Sequence, residues 1–338
     1  MRRLTQIFVA GLATALTMTA CGSGGNQTAT STASPAGSAS AAPAGGGLEK
    51  TELLVGVVPV PSSAPLFIAE KRGFFKEEGL TVKTEIIQAP QAVMPKILNG
   101  SMDAFLTSYV SLIAINDSGA AKVRLIQHVQ EGAPGVAGVV VPKGSAVKTA
   151  ADLKGKTIAV NALKAMGQAV TNAHLQAAGL TPDQDVKYVA VQFADQLGAL
   201  ASGKVDAAWL VEPFLTAAQQ QLGATQVIDT MSGPTASFPI DGWGVTEEWV
   251  AKNPKTAAAF QRALAKAQAL AGSDRAAIDE VVPTYTQIPA EAAKAMKLGV
   301  FSAEVDKTKF QALADLLTGL GYIKAKPDVS TYVANISG

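Results

Sequence analysis

The chain has 338 residues, 48% of them hydrophobic, with 28 basic against 27 acidic side chains and a formal charge of +1. That near-neutral balance supplies no electrostatic footprint for nucleic acid, and a single cysteine excludes an intramolecular disulfide. From Leu48 onward the length suffices for one large domain or two ordinary ones with cores of their own.

At the N-terminus, Arg2 and Arg3 precede an apolar run, Ile7 to Leu16, followed by small residues up to Cys21. A basic head, a short apolar core and small residues are the order of a secretory signal. The run falls short of the ~20 residues a membrane-spanning helix needs, so residues 1–20 are expected to be an export signal. Met18-Thr19-Ala20-Cys21 resembles a bacterial lipobox, whose cysteine becomes the acylated first residue of the mature chain, with Met18 standing where Leu is usual. The alternative is an ordinary cleaved signal with an incidental thiol. Removing 1–20 takes two basic residues and no acidic one, leaving 26 basic against 27 acidic side chains and a charge of −1. Gly22 to Gly47 holds no charge and no large apolar residue, so it cannot bury enough surface to offset the entropy of ordering. Residues 21–47 read as a tether with a reach of about 28 Å.

From Leu53, short β-branched or apolar runs alternate with amphipathic stretches, the signature of βαβ units and a mainly parallel sheet. Strands are expected at 53–58, 82–87, 104–106, 123–129 and 136–141, with helices at 65–73, 93–98 and 109–116 between them. Ser62 or Ser63 can cap the first helix, Pro65 suits its first turn and Gly73 its left-handed end. Thr107 and Ser108 open the third helix. The pattern restarts after Gly155, with strands at 157–160, 186–191, 207–210 and 227–228 and helices at 167–178, 195–201 and 213–221. Beyond Trp243 only helices are expected, at 246–271, 276–286, 289–298 and 307–320, a tail that packs back on the first lobe. The expected fold is therefore α/β with two lobes, 48–141 with 237–338 and 142–236, and the chain crosses between them near 136–141 and 237–243.

Five segments in one order carry a resemblance. They are Pro65 to Ala69 with Gly73 to Leu80, Leu98 to Ala104, Ala151 to Val160, Leu200 to Ala208, and Glu212-Pro213-Phe214. Together, across about two thirds of the mature chain, they resemble the extracytoplasmic substrate-binding lipoproteins of ABC transporters that serve nitrate, sulfonate, taurine and thiamine-precursor import. Each segment also has a plain structural cause, since its glycines end turns and Phe74 and Phe75 fill a core. The resemblance implies a periplasmic-binding-protein-like fold of type II, two lobes joined by β-linkers, with solute held in the cleft and closure by hinge bending. It also implies a monomer anchored through Cys21 outside the cell membrane, with an ABC permease and its ATPase as partners and no cofactor. A receptor that presents its loaded form to a sensor fits as well. The superfamily's pyrimidine-precursor synthases need a cysteine-rich motif that this chain lacks.

Ligands of open parallel sheets sit beyond the carboxyl ends of the strands, at helix N-termini. That rule selects Ser62, Ser63, Gln88, Ser108, Tyr109 and Gln130 on the first lobe. On the second it selects Asn161, Met166, Gly167, Phe193, Asp195 and Glu212, with Asp241 and Trp243 at the second crossing. The serines are either helix caps or ligand contacts. Glu212 is either a carboxylate favoured by a helix dipole or, as in similar proteins, a group facing the ligand. Tyr109, Phe193, Phe214 and Trp243 are either core or platforms for a planar solute. The loop from Asn161 to Gly167 lacks the Gly-Ser-rich character that sulfonate binders of the family share, so a simple sulfonate is not expected. Glu212, Asp195, Glu131 and Asp241 suit a solute with a cationic or hydrogen-donating group.

Other chemistries are missing. Arg72, Arg124, Arg262 and Arg275 all fall outside the selected loops, so no bidentate guanidinium is placed for an amino acid's carboxylate. His128 and His174 lie in different lobes without zinc-ligand spacing. Gly155-Lys156-Thr157 lacks the preceding glycine of a phosphate-binding loop, and there is no Gly-x-Ser-x-Gly elbow. No enzyme activity is expected.

Overall fold

A computed structural model describes residues 47–336. The export signal at 1–20, Cys21 and all but the last residue of the tether lie outside the described residues. Among the described residues, no helix is long and apolar enough to cross a membrane.

The strands are β1 (Glu52–Val57), β2 (Thr81–Ile86), β3 (Ala104–Ser108), β4 (Val123–Glu131), β5 (Ala137–Val141), β6 (Thr157–Val160), β7 (Lys187–Ala190), β8 (Ala207–Val211), β9 (Thr225–Asp229), β10 (Pro239–Thr246) and β11 (Val300–Phe301). They form two sheets, in the orders β11-β4-β10-β3-β1-β2 and β7-β6-β8-β5-β9. In each sheet parallel pairing is confined to three strands: β2, β1 and β3 in the first, β7, β6 and β8 in the second. Each trio is then bordered by one antiparallel strand, β10 or β5, so both sheets are mixed.

Those two antiparallel strands follow the crossings. β5 pairs with β8 and β9 and so belongs to the second sheet. The expected boundary at residue 141 falls after this strand, and the first crossing is the shorter segment 132–136. Val139, Val140 and Val141 are buried on both faces, and such a run announces a central strand without saying which sheet it joins. The second crossing, 230–238, runs beside the first: Gly132 N–H donates to the Phe238 carbonyl (2.9 Å) and Thr230 N–H to that of Ala137 (3.1 Å).

The inserted strands need glycine where neighbours close in. A Cβ on Gly242 would lie 2.2 Å from Leu125 Cδ1, and one on Gly138 would lie 2.4 Å from the Ile228 carbonyl. β10 is also irregular, with register shifts on either side of Asp241, and bulges of this kind re-aim a side chain.

The tail returns to the first sheet. The expected helix 246–271 is broken at Asn253-Pro254 into Glu247–Lys252 and Pro254–Ser273, because proline cannot continue the hydrogen-bond ladder. Helix Pro254–Ser273 packs on Ala64–Lys71 and Phe74–Glu77, where Phe260 stacks on Phe75 with ring centres 5.6 Å apart and Arg262 pairs with Glu78 at 2.7 Å. The expected helix 289–298 is shorter, Ala290–Ala295, and is followed by β11 on the edge of the first sheet.

Candidate functional site

The carboxyl ends of the parallel strands of both sheets converge on one cavity of about 80 Å³, several times the ~10–15 Å³ one water needs. The first sheet contributes Pro61 and Ser62 after β1, Pro90 after β2, Ser108 at the end of β3, Gln130 on β4 and Asp241 on β10. Asn161 after β6, Phe193 after β7, Glu212 after β8 and Met231 after β9 close it from the second.

The polar centre on the first side is a hydrogen-bond chain. Gln130 Nε2 donates to Ser62 Oγ, and Ser62 Oγ donates to Asp241 Oδ2 at 2.6 Å. Ser62 is fully buried and Gln130 nearly so. Asp241 keeps partial exposure, and its carboxylate lines the cavity. Burial pushes the Asp241 carboxyl up to about 7, against the opposing pull of the Ser62 hydroxyl. Beside it, Ser108 Oγ donates to Ser111 Oγ at 3.0 Å and accepts from Ser111 N–H at 3.1 Å, which caps helix Tyr109–Asp117.

Glu212 holds a different position. Its carboxylate accepts from Thr216 N–H (3.0 Å) and Thr216 Oγ (2.8 Å), fixing the start of helix Phe214–Leu222, and from Lys297 N–H at 3.0 Å. Lys297 belongs to the returning tail, three residues before β11, so this carboxylate joins the second sheet to a segment of the first. Burial raises its pKa, and the hydrogen bonds from Lys297 and Thr216 oppose that rise.

The second wall is mainly apolar. Phe193 stacks on Phe214 (5.5 Å, 14°) and lies 6.0 Å from the Trp209 ring. Trp209 is fixed by Nε1 donating to Thr230 Oγ at 3.0 Å.

A family model described as the NMT1-like family matches residues 46–285. The chain belongs to that family. The nitrate/nitrite binding protein NrtA of Nostoc sp. is 27% identical over 288 residues, covering 78% of this chain and 64% of that protein. The putative binding protein YtlA of Bacillus subtilis is 28% identical over 224 residues, covering 65% of this chain and 66% of its own length. The chain spans between 36% and 66% of the first curated relatives it matches. Among solved structures, the alkanesulfonate-binding protein SsuA of Xanthomonas axonopodis pv. citri bound to MOPS superposes with a TM-score of 0.73 at 18% identity, covering 85% of this chain and 99% of that one. The fold is that of the two-lobed periplasmic binding proteins.

Within this NMT1-like chain the cavity gathers Ser62, Ser108, Gln130, Asn161, Met166, Phe193, Glu212 and Asp241 from the residues selected by sequence. Six others lie away from it. Ser63 turns inward and donates to the Val58 carbonyl at 2.7 Å. Tyr109 is core: its hydroxyl meets His128 Nδ1 at 2.8 Å and its ring packs edge-on against Phe310. Trp243 is buried within the first sheet, and Gln88 and Asp195 point to solvent. Gly167 is a packing residue, since a Cβ there would lie 2.3 Å from Trp209 Cε3; its absence lets helix Met166–Ala177 rest on that ring. Trp209, Met231, Ser111 and Lys297 line the cavity and were not selected. Of these, Ser111 had a readable signal, its place one turn into the helix that Ser108 caps.

Two outcomes follow. Glu212→Ala strands the Thr216 and Lys297 N–H groups in a buried site and should cost about 2–3 kcal/mol, read as a lower urea midpoint at unchanged m-value. For Asp241, the folded-state pKa of about 7 lies above its ordinary value of 3.8. The fold therefore favours the protonated acid, and that contribution, complete below the unfolded value, is lost as pH rises through about 7. Asp241→Asn carries no such loss, so its melting temperature relative to the parent should climb between pH 4 and pH 7.5 and then level off.

Proposed function

We propose that the chain is an extracytoplasmic receptor, not an enzyme, that captures a small solute between its lobes and delivers it to an ABC permease and its ATPase. The observation that carries this reading is the convergence of both sets of strand ends on one cavity lined by both sheets. Curated relatives are named as a nitrate/nitrite binding protein and a putative binding protein, which supports a binding role. Ser62, Ser108, Gln130, Asn161, Met166, Phe193, Glu212 and Asp241 contact the solute, and closing the lobes on it stabilises the loaded form. The lobes comprise 48–131 with 239–338 and 137–229, assigned by sheet membership. Cys21 carries the lipid anchor, and the stretch to Gly47 holds the body off the membrane.

The experiment is a thermal-shift series with nitrate, taurine, alkanesulfonates, alkylammonium salts, pyrimidines and flavins. A cavity ligand raises the melting temperature with the logarithm of its concentration above Kd. Asn161→Trp, which fills the cavity from a partly exposed position, should abolish that rise while leaving the ligand-free melting temperature within about 2 °C. A rise that survives Asn161→Trp places binding elsewhere and contradicts the proposal.

A further inference from the structure

Which solute the cavity accepts can be approached by counting the hydrogens already committed in its walls. Ser62 has one hydroxyl proton and gives it to Asp241 Oδ2 at 2.6 Å. Its oxygen is therefore an acceptor toward Gln130, and the group facing it must be the amide nitrogen, as the contact between Gln130 Nε2 and Ser62 Oγ has it. With Asp241 ionised, reversing the amide would set two acceptors against each other, so in that state the network fixes the orientation. The consequence falls on the other end of the side chain. Gln130 is 6% exposed and lines the cavity, yet its Oε1 has no hydrogen-bond partner. A buried acceptor left without a donor costs about 1–3 kcal/mol, and a ligand donor would remove that cost. Asp241 Oδ1, on the same wall, makes no hydrogen bond either, since the carboxylate's one contact is through Oδ2.

The remaining surroundings point the same way. The second carboxylate of the cavity, Glu212, is held by three protein donors. No arginine lines the cavity, and the one lysine, Lys297, is an exposed side chain there. A bound oxyanion needs several donors or a cation, and the first wall offers two uncommitted protons: the hydroxyl of Ser111, whose oxygen already accepts from Gln91 and Ser108, and the second amide N–H of Gln130, whose Nε2 makes one contact. On the opposite wall the N-terminus of helix Met166–Ala177, which carries no side-chain cap, and the amide group of Asn161 are the features that favour negative charge. The lining of the same cavity includes the apolar side chains of Val58, Leu106, Val136, Phe193 and Trp209.

We infer that the cavity selects a compact apolar or aromatic solute bearing a primary ammonium group, which seats between Asp241 Oδ1 and Gln130 Oε1. This rests on the receptor reading and departs from the nitrate and alkanesulfonate for which relatives and structural neighbours are named.

The experiment is calorimetric titration of the mature chain with four probes: butylammonium, benzylammonium, butanesulfonate and nitrate, butylammonium and butanesulfonate sharing one alkyl chain and differing in the sign of the head group. The ammonium probes should bind saturably, and the two anions at least about 10-fold more weakly. Asp241→Asn should weaken ammonium binding by roughly 30-fold or more, Gln130→Met by about 5-fold or more, and the exposed Asp195→Asn not at all. Tighter binding of butanesulfonate or nitrate overturns the inference about the ligand and leaves the receptor standing. Unchanged ammonium affinity in Asp241→Asn overturns the seat. If none of the probes binds, the inference falls, and the receptor is then decided by the wider thermal-shift series.

Discussion

A carboxylate drawn out of water and steadied by one hydroxyl is the constraint around which this cavity is arranged. Asp241 is held by Ser62, and Gln130 backs Ser62; those residues come from three separate parts of the first sheet. β10 enters antiparallel between β3 and β4, which sets Asp241 opposite Ser108 on one side and Gln130 on the other. Ser62 arrives from the turn after β1. The insertion of β10 is thus what turns three remote residues into one polar centre, and the register shifts around Asp241 are the local means of aiming its side chain.

The two lobes share more than their crossing strands. Glu212 grips Lys297 N–H in the tail, and Tyr322, beyond the last long helix, accepts from Asn172 Nδ2 at 3.2 Å while Tyr188 donates to Asn172 Oδ1 at 2.7 Å. Opening the cavity must break or carry these contacts along. These part-buried hydrogen bonds exchange protein partners for water when the lobes separate, which opposes opening. On the proposed receptor reading, a solute adds to that preference for closure rather than creating one.

The strand-end rule located the cavity because it depends only on where strands stop, and runs such as Leu53 to Val58 or Ala207 to Leu210 end visibly. It could not say which of two neighbouring side chains faces the gap. Ser62 and Ser63 are adjacent, and a short 3-10 turn sends one to Asp241 and the other to the Val58 carbonyl. Ser108 and Tyr109 divide the same way, one at the cavity and one in the core. Trp209 read as a strand residue and is one, with its ring forming the far wall. Lys297 and Met231 were invisible for a topological reason: the tail and the second crossing reach the cavity only once the whole chain has folded back. The placement of β5 was illegible because its run is apolar on both faces.

The most direct measurement is the titration of the Asp241 carboxyl carbon by NMR in the ligand-free protein, assigned by the signal's loss in Asp241→Asn. A midpoint near pH 7 is expected if the carboxyl sits buried at the head of the Gln130–Ser62 chain. A midpoint near 4, the ordinary value of a solvated aspartate, would contradict that arrangement and with it the polar centre of the cavity.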